Sequence, residues 1–383
     1  MSKTIGIVEL YQHNEVLAHY CQLLLHSDYQ IYVFCNEKLF HQLPKEIQNS
    51  RIIWHLNPDE IKRSDFIFAH EQDIKQCTCT IVSTVFSDFK AYKSINLWSK
   101  SIYVLHSAYT WMEPLKHIHL RSGHLITDFL RLVKFILGGH GSARQSLIEG
   151  AYKIALPNDM ILNHVKVNCD PKHQNKLISL PFGAYYNIEN HLKKTDTEDS
   201  FKLVIPGTVS REVRDYEMVV QALNKLKSLD HPRIKIVLLG NSENRYAQSI
   251  INQLRAIENE HLSFEYFQGF IEQELYDNTL EQADYLLLPL KKYTQFYVFR
   301  ESTCLSKLSG SINDMIRFGK HTIASNYVRI DEQIDATFLS FTNASELAEI
   351  LQSLSKPSRE INHSFKQYTY LKLLEDFKSQ IDV

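Results

Sequence analysis

The chain has 383 residues, of which 44% are hydrophobic and 22% charged, and its formal net charge at pH 7 is -2. This length is enough for two ordinary domains, and the composition excludes an intrinsically disordered chain. A net charge this close to zero provides no overall attraction to nucleic acid, so no nucleic-acid partner is expected and phosphate binding would require a local site.

No segment is typical of a signal peptide or a membrane-spanning helix. Residues 4–10 have the pattern of a short strand rather than a signal-peptide core. The apolar stretch 129–137 is too short to cross a bilayer and contains Arg131 and Lys134. A cytoplasmic protein with reduced cysteines and no zinc site is therefore expected, because the cysteines lack the paired spacing of zinc ligands. The cysteines are Cys21, Cys35, Cys77, Cys79, Cys169 and Cys304.

Short β-rich segments alternate with longer amphipathic segments along the first half, which is typical of a parallel α/β domain. Strands are predicted at 5–10, 30–35, 66–70, 80–84, 101–106, 152–157 and 176–181. A helix is predicted at 16–25, with Asn14 as a suitable cap residue before it. The polar run 193–200 predicts a linker, so the first domain is placed at 1–185 and the linker at 186–200.

The alternation restarts at residue 201 and predicts a second Rossmann-like domain at 201–360, followed by a helical segment at 361–383. Its strands are predicted at 201–206, 234–239, 262–267, 285–288 and 322–325. Its helices are predicted at 215–226, at 273–282 and at 312–318, and a further helix is predicted between Gly240 and its end at Leu254. The fold class expected from this order is α/β, with two Rossmann-like domains.

Ligands of open parallel sheets bind outside the carboxyl ends of the strands, beside helix N-termini. Gly207 and Thr208 follow a predicted strand there, with Arg211 and Arg214 shortly after. Glycine lets backbone N–H groups approach a phosphate, and an arginine neutralises it with two parallel hydrogen bonds. The alternative is a solvated loop with two surface arginines.

A second candidate loop is Ser309-Gly310-Ser311, which opens a predicted helix. Its N–H groups and hydroxyls suit a diphosphate, and Lys307 supplies a formal positive charge. Asp314 lies one turn into the helix, where its carboxylate can accept hydrogen bonds from ribose hydroxyls. The alternative is an ordinary capping serine and a surface aspartate.

Two further loops belong to the first domain. His106 ends a predicted strand, where its imidazole can contact a sugar hydroxyl or act as a base. The loop after the first strand contains His13 and Glu15, and either can serve as a base toward an acceptor. The alternative for His106 is an ordinary histidine, since the chain has 18 of them, and the alternative for the other loop is a solvated N-cap cluster.

The second half resembles the donor domain of GT-B glycosyltransferases. The resemblance rests on the segments 203–208, 236–240, 267–270, 283–289 and 314–325, and it extends more weakly to His106 and 180–183. The group that these segments resemble is the large retaining one, glycosyltransferase family 4-like, which includes many bacterial polysaccharide and lipopolysaccharide transferases.

The resemblance implies donor-binding roles for specific positions. Gly207-Thr208 matches the turn beside the donor diphosphate, with Arg211 or Arg214 as its basic ligand. Gly269-Phe270 matches the segment beside the nucleobase. Asp314 matches the second acid of the family's Glu-x7-Glu pair, which binds ribose.

The family fold has two Rossmann-like domains facing each other across a cleft, with the segment 361–383 crossing back to the first. This sequence departs from the family at the first acid of the pair, where Ser306 stands and Glu301 is the nearest carboxylate. The departure leaves a retaining or an inverting outcome open. It makes Lys307 with Ser309–Ser311 the expected holder of the diphosphate.

The expected activity is hexosyl transfer from a UDP- or GDP-sugar to a saccharide or lipid-linked glycan acceptor in cell-surface polysaccharide synthesis. No metal and no cofactor are expected, because the sequence contains no Asp-x-Asp motif. One alternative is a non-catalytic nucleotide-sugar binding subunit. A dinucleotide-dependent oxidoreductase is disfavoured, because no Gly-x-Gly-x-x-Gly follows the first strand. The basic amphipathic segment 117–144 suits a membrane surface or, alternatively, packing on its own domain.

Overall fold

The computed structural model describes residues 3–181, 185–186, 200–330, 334, 337–355 and 363–381. The chain divides into two compact units. Unit 1 comprises Met1–Gly183, Gln295–Leu308 and Leu371–Val383, and unit 2 comprises Ala184–Thr294 and Ser309–Tyr370. The predicted linker 186–200 lies outside the described residues apart from its two end positions.

Unit 1 contains a seven-stranded parallel sheet in the order β3-β2-β1-β4-β5-β6-β7. Its strands are β1 (Thr4–Glu9), β2 (Gln30–Asn36), β3 (Ile53–Asn57), β4 (Cys79–Val82), β5 (Ser101–Val104), β6 (Lys153–Leu156) and β7 (Leu177–Ser179). The central strands β4 and β5 are buried along their whole length. Continuous apolar strands are characteristic of a parallel sheet whose two faces are both covered.

The connections of unit 1 are mostly helical. The helices are α1 (Asn14–Leu25), α2 (Glu37–Gln42), α3 (Lys45–Gln48), α4 (Arg63–Ala69), α5 (Glu71–Gln76), α6 (Phe89–Ser94), α7 (Ala108–Met112), α8 (Leu125–Leu137), α9 (His140–Gly150) and α10 (Asp159–Asn168). The strand predicted at 66–70 is wrong, since these residues belong largely to α4, and the third strand is β3. A short apolar run such as Phe66-Ile67-Phe68 fits a buried helix turn as well as a strand, and periodicity alone does not separate them.

Unit 2 contains a six-stranded sheet in the order β10-β9-β8-β11-β14-β15. Its strands are β8 (Phe201–Pro206), β9 (Ile234–Asn241), β10 (Leu262–Phe267), β11 (Tyr285–Leu288), β14 (His321–Ser325) and β15 (Phe338–Phe341). Its helices are α11 (Tyr216–Leu226), α12 (Arg245–Arg255), α13 (Gln273–Glu281), α14 (Gly310–Arg317) and α15 (Ala344–Gln352). The five predicted strands and four predicted helices are confirmed. The strand β15, which is short and half exposed, was not predicted.

The segment Gln295–Leu308 returns to unit 1, although the sequence assigned it to the second domain. It contains most of the pair β12 (Tyr293–Phe296) and β13 (Phe299–Ser302). The fully buried carboxylate of Glu301 accepts hydrogen bonds from the Thr110 backbone N–H at 2.7 Å and from its hydroxyl at 2.6 Å. Thr110 lies in the first turn of α7, where an acid is favoured by the helix dipole. Glu301 therefore fastens the segment to α7.

The C-terminal helix α16 (Tyr370–Ile381) also lies mainly in unit 1. Its residue Phe377 is 1% exposed, and the ring lies 5.9 Å from the ring of Tyr20 on α1. Burial of one such aromatic side chain contributes about 1.5–3 kcal/mol to folding. In the described part of the chain, no helix is both long enough and apolar enough to cross a membrane.

Each sheet has one point where the strand order reverses. In unit 1 this point lies between β1 and β4, and in unit 2 between β8 and β11. The connections leave such a point in opposite directions, so a crevice opens beyond the carboxyl ends of the two strands. Ligand-binding residues are therefore expected after β1 and β4 in unit 1, and after β8 and β11 in unit 2.

Candidate active site

Gly207 forms the turn directly after β8. Its φ is +91°, a conformation that residues with a side chain rarely adopt. A Cβ atom at this position would also overlap the guanidinium group of Arg214. Glycine is therefore required both by the backbone conformation and by the close approach of the arginine.

Arg214 is 7% exposed and joins the Gly207 turn to the start of α14. Its Nη1 donates to the Thr208 carbonyl at 3.2 Å, and its Nη2 donates to the Pro206 carbonyl and to the Ser311 hydroxyl, the latter at 2.9 Å. The Asp215 N–H donates to the Pro289 carbonyl at 2.7 Å, just after β11. A buried positive charge is thus held at the switch point of the unit 2 sheet.

The start of α14 lies beside this arginine. Gly310 is exposed, and a Cβ atom built on it would meet nothing within 4 Å. Ser309 is half-buried and caps the helix with its backbone, while Ser311 is buried against Arg214. The first N–H groups of a helix have no partner within it, so this end attracts anions. Gly207, Thr208, Arg214 and the sequence Ser309–Ser311 thus come together within unit 2.

The side chain of Arg211 lies on the surface, unlike that of Arg214. Its side chain is 70% exposed, and its Nε lies 3.7 Å from a carboxylate oxygen of Glu217. Its guanidinium group also lies 6.0 Å from the centre of the Tyr246 ring. Of the two arginines proposed for the diphosphate, Arg214 is the one that contacts the glycine turn.

Asp314 is 9% exposed and accepts a hydrogen bond of 2.8 Å from the hydroxyl of Tyr276. Burial raises the pKa of Asp314 to about 6, against the opposing attraction of Arg317. Arg317 in turn pairs with Asp277 at 3.2 Å. The carboxylate is therefore mostly ionised at pH 7 but takes up a proton in mild acid. Tyr276 was not identified from the sequence, because nothing local marks a partner 38 residues from Asp314.

Gly269 and Phe270 follow β10, two strands away from β8. Gly269 has a φ of +71°, which explains the glycine in this turn. The side chain of Phe270 is 77% exposed. An exposed ring beyond the carboxyl end of a strand is available for stacking against a planar group.

Lys307 belongs to the segment of unit 1 that Glu301 fastens. Its carbonyl accepts a hydrogen bond of 2.8 Å from the Cys304 N–H. Burial lowers the pKa of the Lys307 ammonium group, and the charge of Glu301 opposes this effect. Lys307 and Ser309–Ser311, which the sequence grouped together, therefore lie in different units of the structure.

His106 lies two residues beyond β5, at the switch-point edge of the unit 1 sheet. Its Nε2 lies 2.9 Å from the Ser83 carbonyl, which can only accept, so Nε2 carries the proton and Nδ1 is the basic nitrogen. The imidazole stacks on His13 with ring centres 4.1 Å apart. Burial, with the nearby His13 acting in the same direction, lowers the pKa of His106 to about 3. The ring is therefore neutral at pH 7 and a weak base, which favours hydrogen bonding over proton abstraction.

Glu15, the third candidate of unit 1, is 58% exposed, and its carboxylate lies 3.5 Å from Nδ1 of His13. Glu9, at the end of β1, is a buried acid that was not identified from the sequence. It accepts hydrogen bonds from the Thr84 hydroxyl at 2.5 Å and from the Tyr11 N–H at 2.9 Å. Thr84 also lies 3.3 Å from Nε2 of His106. The signal in the sequence was an acid closing an otherwise apolar strand.

One group of three potential metal ligands lies among the described residues. It consists of His55, His70 and Asp73, whose ligand atoms lie within 4.8 Å of one another. His70 and Asp73 are hydrogen-bonded at 3.0 Å, and His55 belongs to the edge strand β3. These three residues lie away from both switch points. Donor binding without a metal stays a prediction.

The fold is similar to that of known proteins, although no family model and no curated protein matches the chain. A glycosyltransferase from Rickettsia africae matches with a TM-score of 0.64 at 13% identity, over 99% of both chains. HepE of Anabaena in complex with UDP-glucose matches with a TM-score of 0.62 at 10% identity, also over 99% of both chains. MnaA of S. aureus in complex with UDP matches with a TM-score of 0.52 at 10% identity, over 100% of this chain and 97% of the other. These structures confirm the predicted fold class: the chain has the two α/β domains of the GT-B fold.

Proposed function

We propose that this protein is a nucleotide-sugar glycosyltransferase of the hexosyl-transferring type. It moves the sugar from a UDP- or GDP-sugar to a saccharide or lipid-linked glycan acceptor. The observation that carries the proposal is the buried Arg214, which contacts both the Gly207 turn and the start of α14 in unit 2. The start of α14 offers backbone N–H groups beside this positive charge. The similar structures that hold UDP or UDP-glucose make UDP the first nucleotide to test.

In this reaction an acceptor hydroxyl forms a bond to the anomeric carbon, and the bond from that carbon to the diphosphate oxygen breaks. The nucleoside diphosphate leaves with the additional negative charge. The N–H groups of Gly310 and Ser311, the charge of Arg214 and a contribution from Lys307 are proposed to stabilise it. Fixed dipoles and charges of this kind lower the barrier because they need no reorganisation during the reaction. These cations take the place of a metal, and no cofactor takes part in the proposed reaction.

The remaining site residues have proposed roles toward the donor nucleotide, the sugar or the acceptor. Phe270 and Gly269 are proposed to pack beside the nucleobase, and Asp314 to accept hydrogen bonds from the ribose. His106 is proposed to contact a sugar hydroxyl, while His13 or Glu15 takes the proton of the acceptor. Ser306 stands where the resembled retaining group has an acid, so the product's anomeric configuration has to be measured.

The acceptor proposed for this reaction belongs to cell-surface polysaccharide or lipopolysaccharide synthesis. The proposal follows from the resemblance of 201–326 to the retaining bacterial transferases. It places the reaction in the cytoplasm and, with a lipid-linked acceptor, at the inner face of the cell membrane.

Calorimetry and transfer assays with a panel of UDP- and GDP-sugars test the proposal. We expect one nucleotide diphosphate to bind and to raise the melting temperature, and its sugar to be transferred or slowly hydrolysed. The missing acid at Ser306 favours a second candidate, a non-catalytic binding subunit, which would bind the donor without consuming it. Absence of binding to every nucleotide sugar would reject both.

Replacing His106 with alanine is expected to lower the rate of sugar transfer by about 100-fold, because a contact made to the reacting sugar is lost. UDP affinity should stay within about threefold, since His106 is not among the groups proposed to bind UDP. The pH profile between 6 and 8 should keep its shape, because a group with a pKa of about 3 does not titrate there. Loss of UDP affinity equal to the loss of rate would contradict this role. Rates and affinities are measured by product assay and calorimetry.

A further inference from the structure

The helix α8 has an inverted distribution of polar and apolar residues. Its only carboxylate, Asp128, is fully buried, whereas most of its large apolar side chains face solvent. The exposed ones are Leu125 at 53%, Ile126 at 80%, Phe129 at 56%, Leu130 at 61%, Ile136 at 54% and Leu137 at 81%. We call these six residues the apolar face of α8. A helix of a water-soluble domain normally packs such residues against the core. This face is therefore expected to be covered by a binding partner.

Two arginines keep Asp128 away from the apolar face. Arg121 donates to its carboxylate through Nε at 2.9 Å and Nη2 at 2.6 Å, and Arg131 donates through Nη1 at 3.2 Å. Hydrogen bonds from Arg121 hold the pKa of Asp128 well below its ordinary value. The buried Phe135 packs against Val298 and Phe299 on the same inner side. The helix is therefore fixed to unit 1 by its inner side, with the apolar face directed outward.

The charges around the apolar face are almost all positive. Between residues 114 and 148 the chain has five lysines and arginines and one acid, a formal excess of four positive charges. The acid is the buried Asp128, so no carboxylate of this segment is exposed. Lys116 is 69% exposed in its side chain and pairs with the buried Glu113 at 2.6 Å, and Lys134 is exposed. Leu115, Ile118 and Leu120, which precede α8, extend the apolar surface.

We propose that α8 and residues 115–120 form a membrane-docking surface for anionic phospholipids. The helix is about 20 Å long, and it would lie in the plane of the interface with its apolar face among the upper acyl chains. Lys116 and Lys134 would then meet the phosphates and acidic headgroups. A second copy of the chain fits this surface less well, because face-to-face docking would bring the lysines beside the two apolar faces close to one another, and like charges repel. The proposal is independent of the donor chemistry.

Vesicle co-sedimentation with the full chain tests the proposal. We expect binding to vesicles of 30% phosphatidylglycerol in phosphatidylcholine to exceed binding to pure phosphatidylcholine at least tenfold, and to weaken in 0.5 M salt. The triple variant Ile126→Ser, Leu130→Ser, Leu137→Ser should lose at least tenfold of this binding. The double variant Lys116→Glu, Lys134→Glu should lose the preference for the anionic lipid.

Val167→Ser is the matched control, because Val167 is an apolar residue of unit 1 that is 83% exposed on α10. It should bind vesicles like the unchanged protein. The triple variant and the control should keep their melting temperature and UDP binding, since the altered side chains are exposed and lie outside the proposed donor site. The double variant should keep its UDP binding but melt at a lower temperature, because Lys116→Glu places a second carboxylate beside the buried Glu113. Equal vesicle binding by the triple variant and the control would overturn the proposal. So would concentration-dependent dimerisation, seen by sedimentation velocity without lipid, that the triple variant abolishes.

Discussion

Replacing Arg214 with methionine is expected to reduce the affinity for UDP on the order of 100-fold. A hydrogen bond that involves a charged group contributes about 1.5–3 kcal/mol, and a tenfold change in affinity corresponds to about 1.4 kcal/mol. Methionine removes the positive charge and also the contacts that hold Thr208 and Ser311 together. The N–H groups of the turn and of α14 would then no longer be held in one arrangement. Calorimetry with UDP measures the change.

Arg211 provides the matched control, because it is the same residue type three positions earlier and is 70% exposed. Arg211→Met should change UDP affinity by less than about threefold and leave the melting temperature unchanged. Arg214→Met removes the hydrogen bonds that the buried guanidinium group makes to Pro206, Thr208 and Ser311, so it should also lower the free energy of unfolding by about 2–4 kcal/mol. Arg214→Lys, which keeps the charge, should fall between the two. Unchanged UDP affinity in folded Arg214→Met or Arg214→Lys protein would exclude the proposed role of Arg214, which is to hold the Gly207 turn and the start of α14 together.

Replacing Asp314 with asparagine is expected to raise the free energy of unfolding at pH 7 by about 1–3 kcal/mol and to lower UDP affinity about tenfold. The pKa of Asp314 is about 6 in the folded chain against an ordinary value of 3.8, so its charge is destabilising when folded. Asparagine keeps an acceptor for the Tyr276 hydroxyl without that charge. A residue that costs stability but supports ligand binding is typical of functional sites.

The sign of the pH dependence follows from the raised pKa. The folded state binds the Asp314 proton more tightly than the unfolded state, so this group favours folding most below pH 3.8. That contribution is lost as the pH rises through about 6. The stability advantage of the Asp314→Asn variant should therefore shrink by about 1 kcal/mol between pH 7 and pH 5. Urea denaturation at the two pH values measures it.

Asp277→Asn is the control for the UDP measurement, because Asp277 pairs with Arg317 on the same helix pair but has no proposed contact with ribose. Its UDP affinity should stay within about threefold of the unchanged protein. An Asp314→Asn variant that binds UDP normally would remove Asp314 from the ribose site. A variant that is less stable at pH 7 would show that the buried carboxylate is compensated by its surroundings.

Local patterns in the sequence were sufficient for the fold class and for most strands. Apolar runs such as 203–205 and 236–239 mark buried parallel strands because side-chain burial on both faces requires continuous hydrophobicity. The exception at 66–70 arose where a short apolar run fits two structures. Gly207 was recognisable as part of a turn, since its position after a strand agrees with the positive φ angle observed.

The composition of the candidate site depended on contacts between residues far apart in the chain. Arg214 and Ser311 are 97 residues apart, yet their hydrogen bond selects Arg214 over Arg211 at the glycine turn. Glu301 is hydrogen-bonded to α7, and the segment that contains Glu301 and Lys307 belongs to unit 1. No local pattern in the sequence predicts this placement. Glu9 and Thr84 meet because β1 and β4 are neighbours at the switch point.

By itself the sequence determined the fold class, the order of most strands, most helices of the second half, and the loops that follow the strands. These properties depend on hydrophobic periodicity and turn residues, which are local. Only the tertiary structure decided which polar side chains are buried, which arginine braces the turn, and that α8 turns its apolar residues outward. Those properties depend on which distant segments exclude water from one another, and a linear pattern does not contain that information.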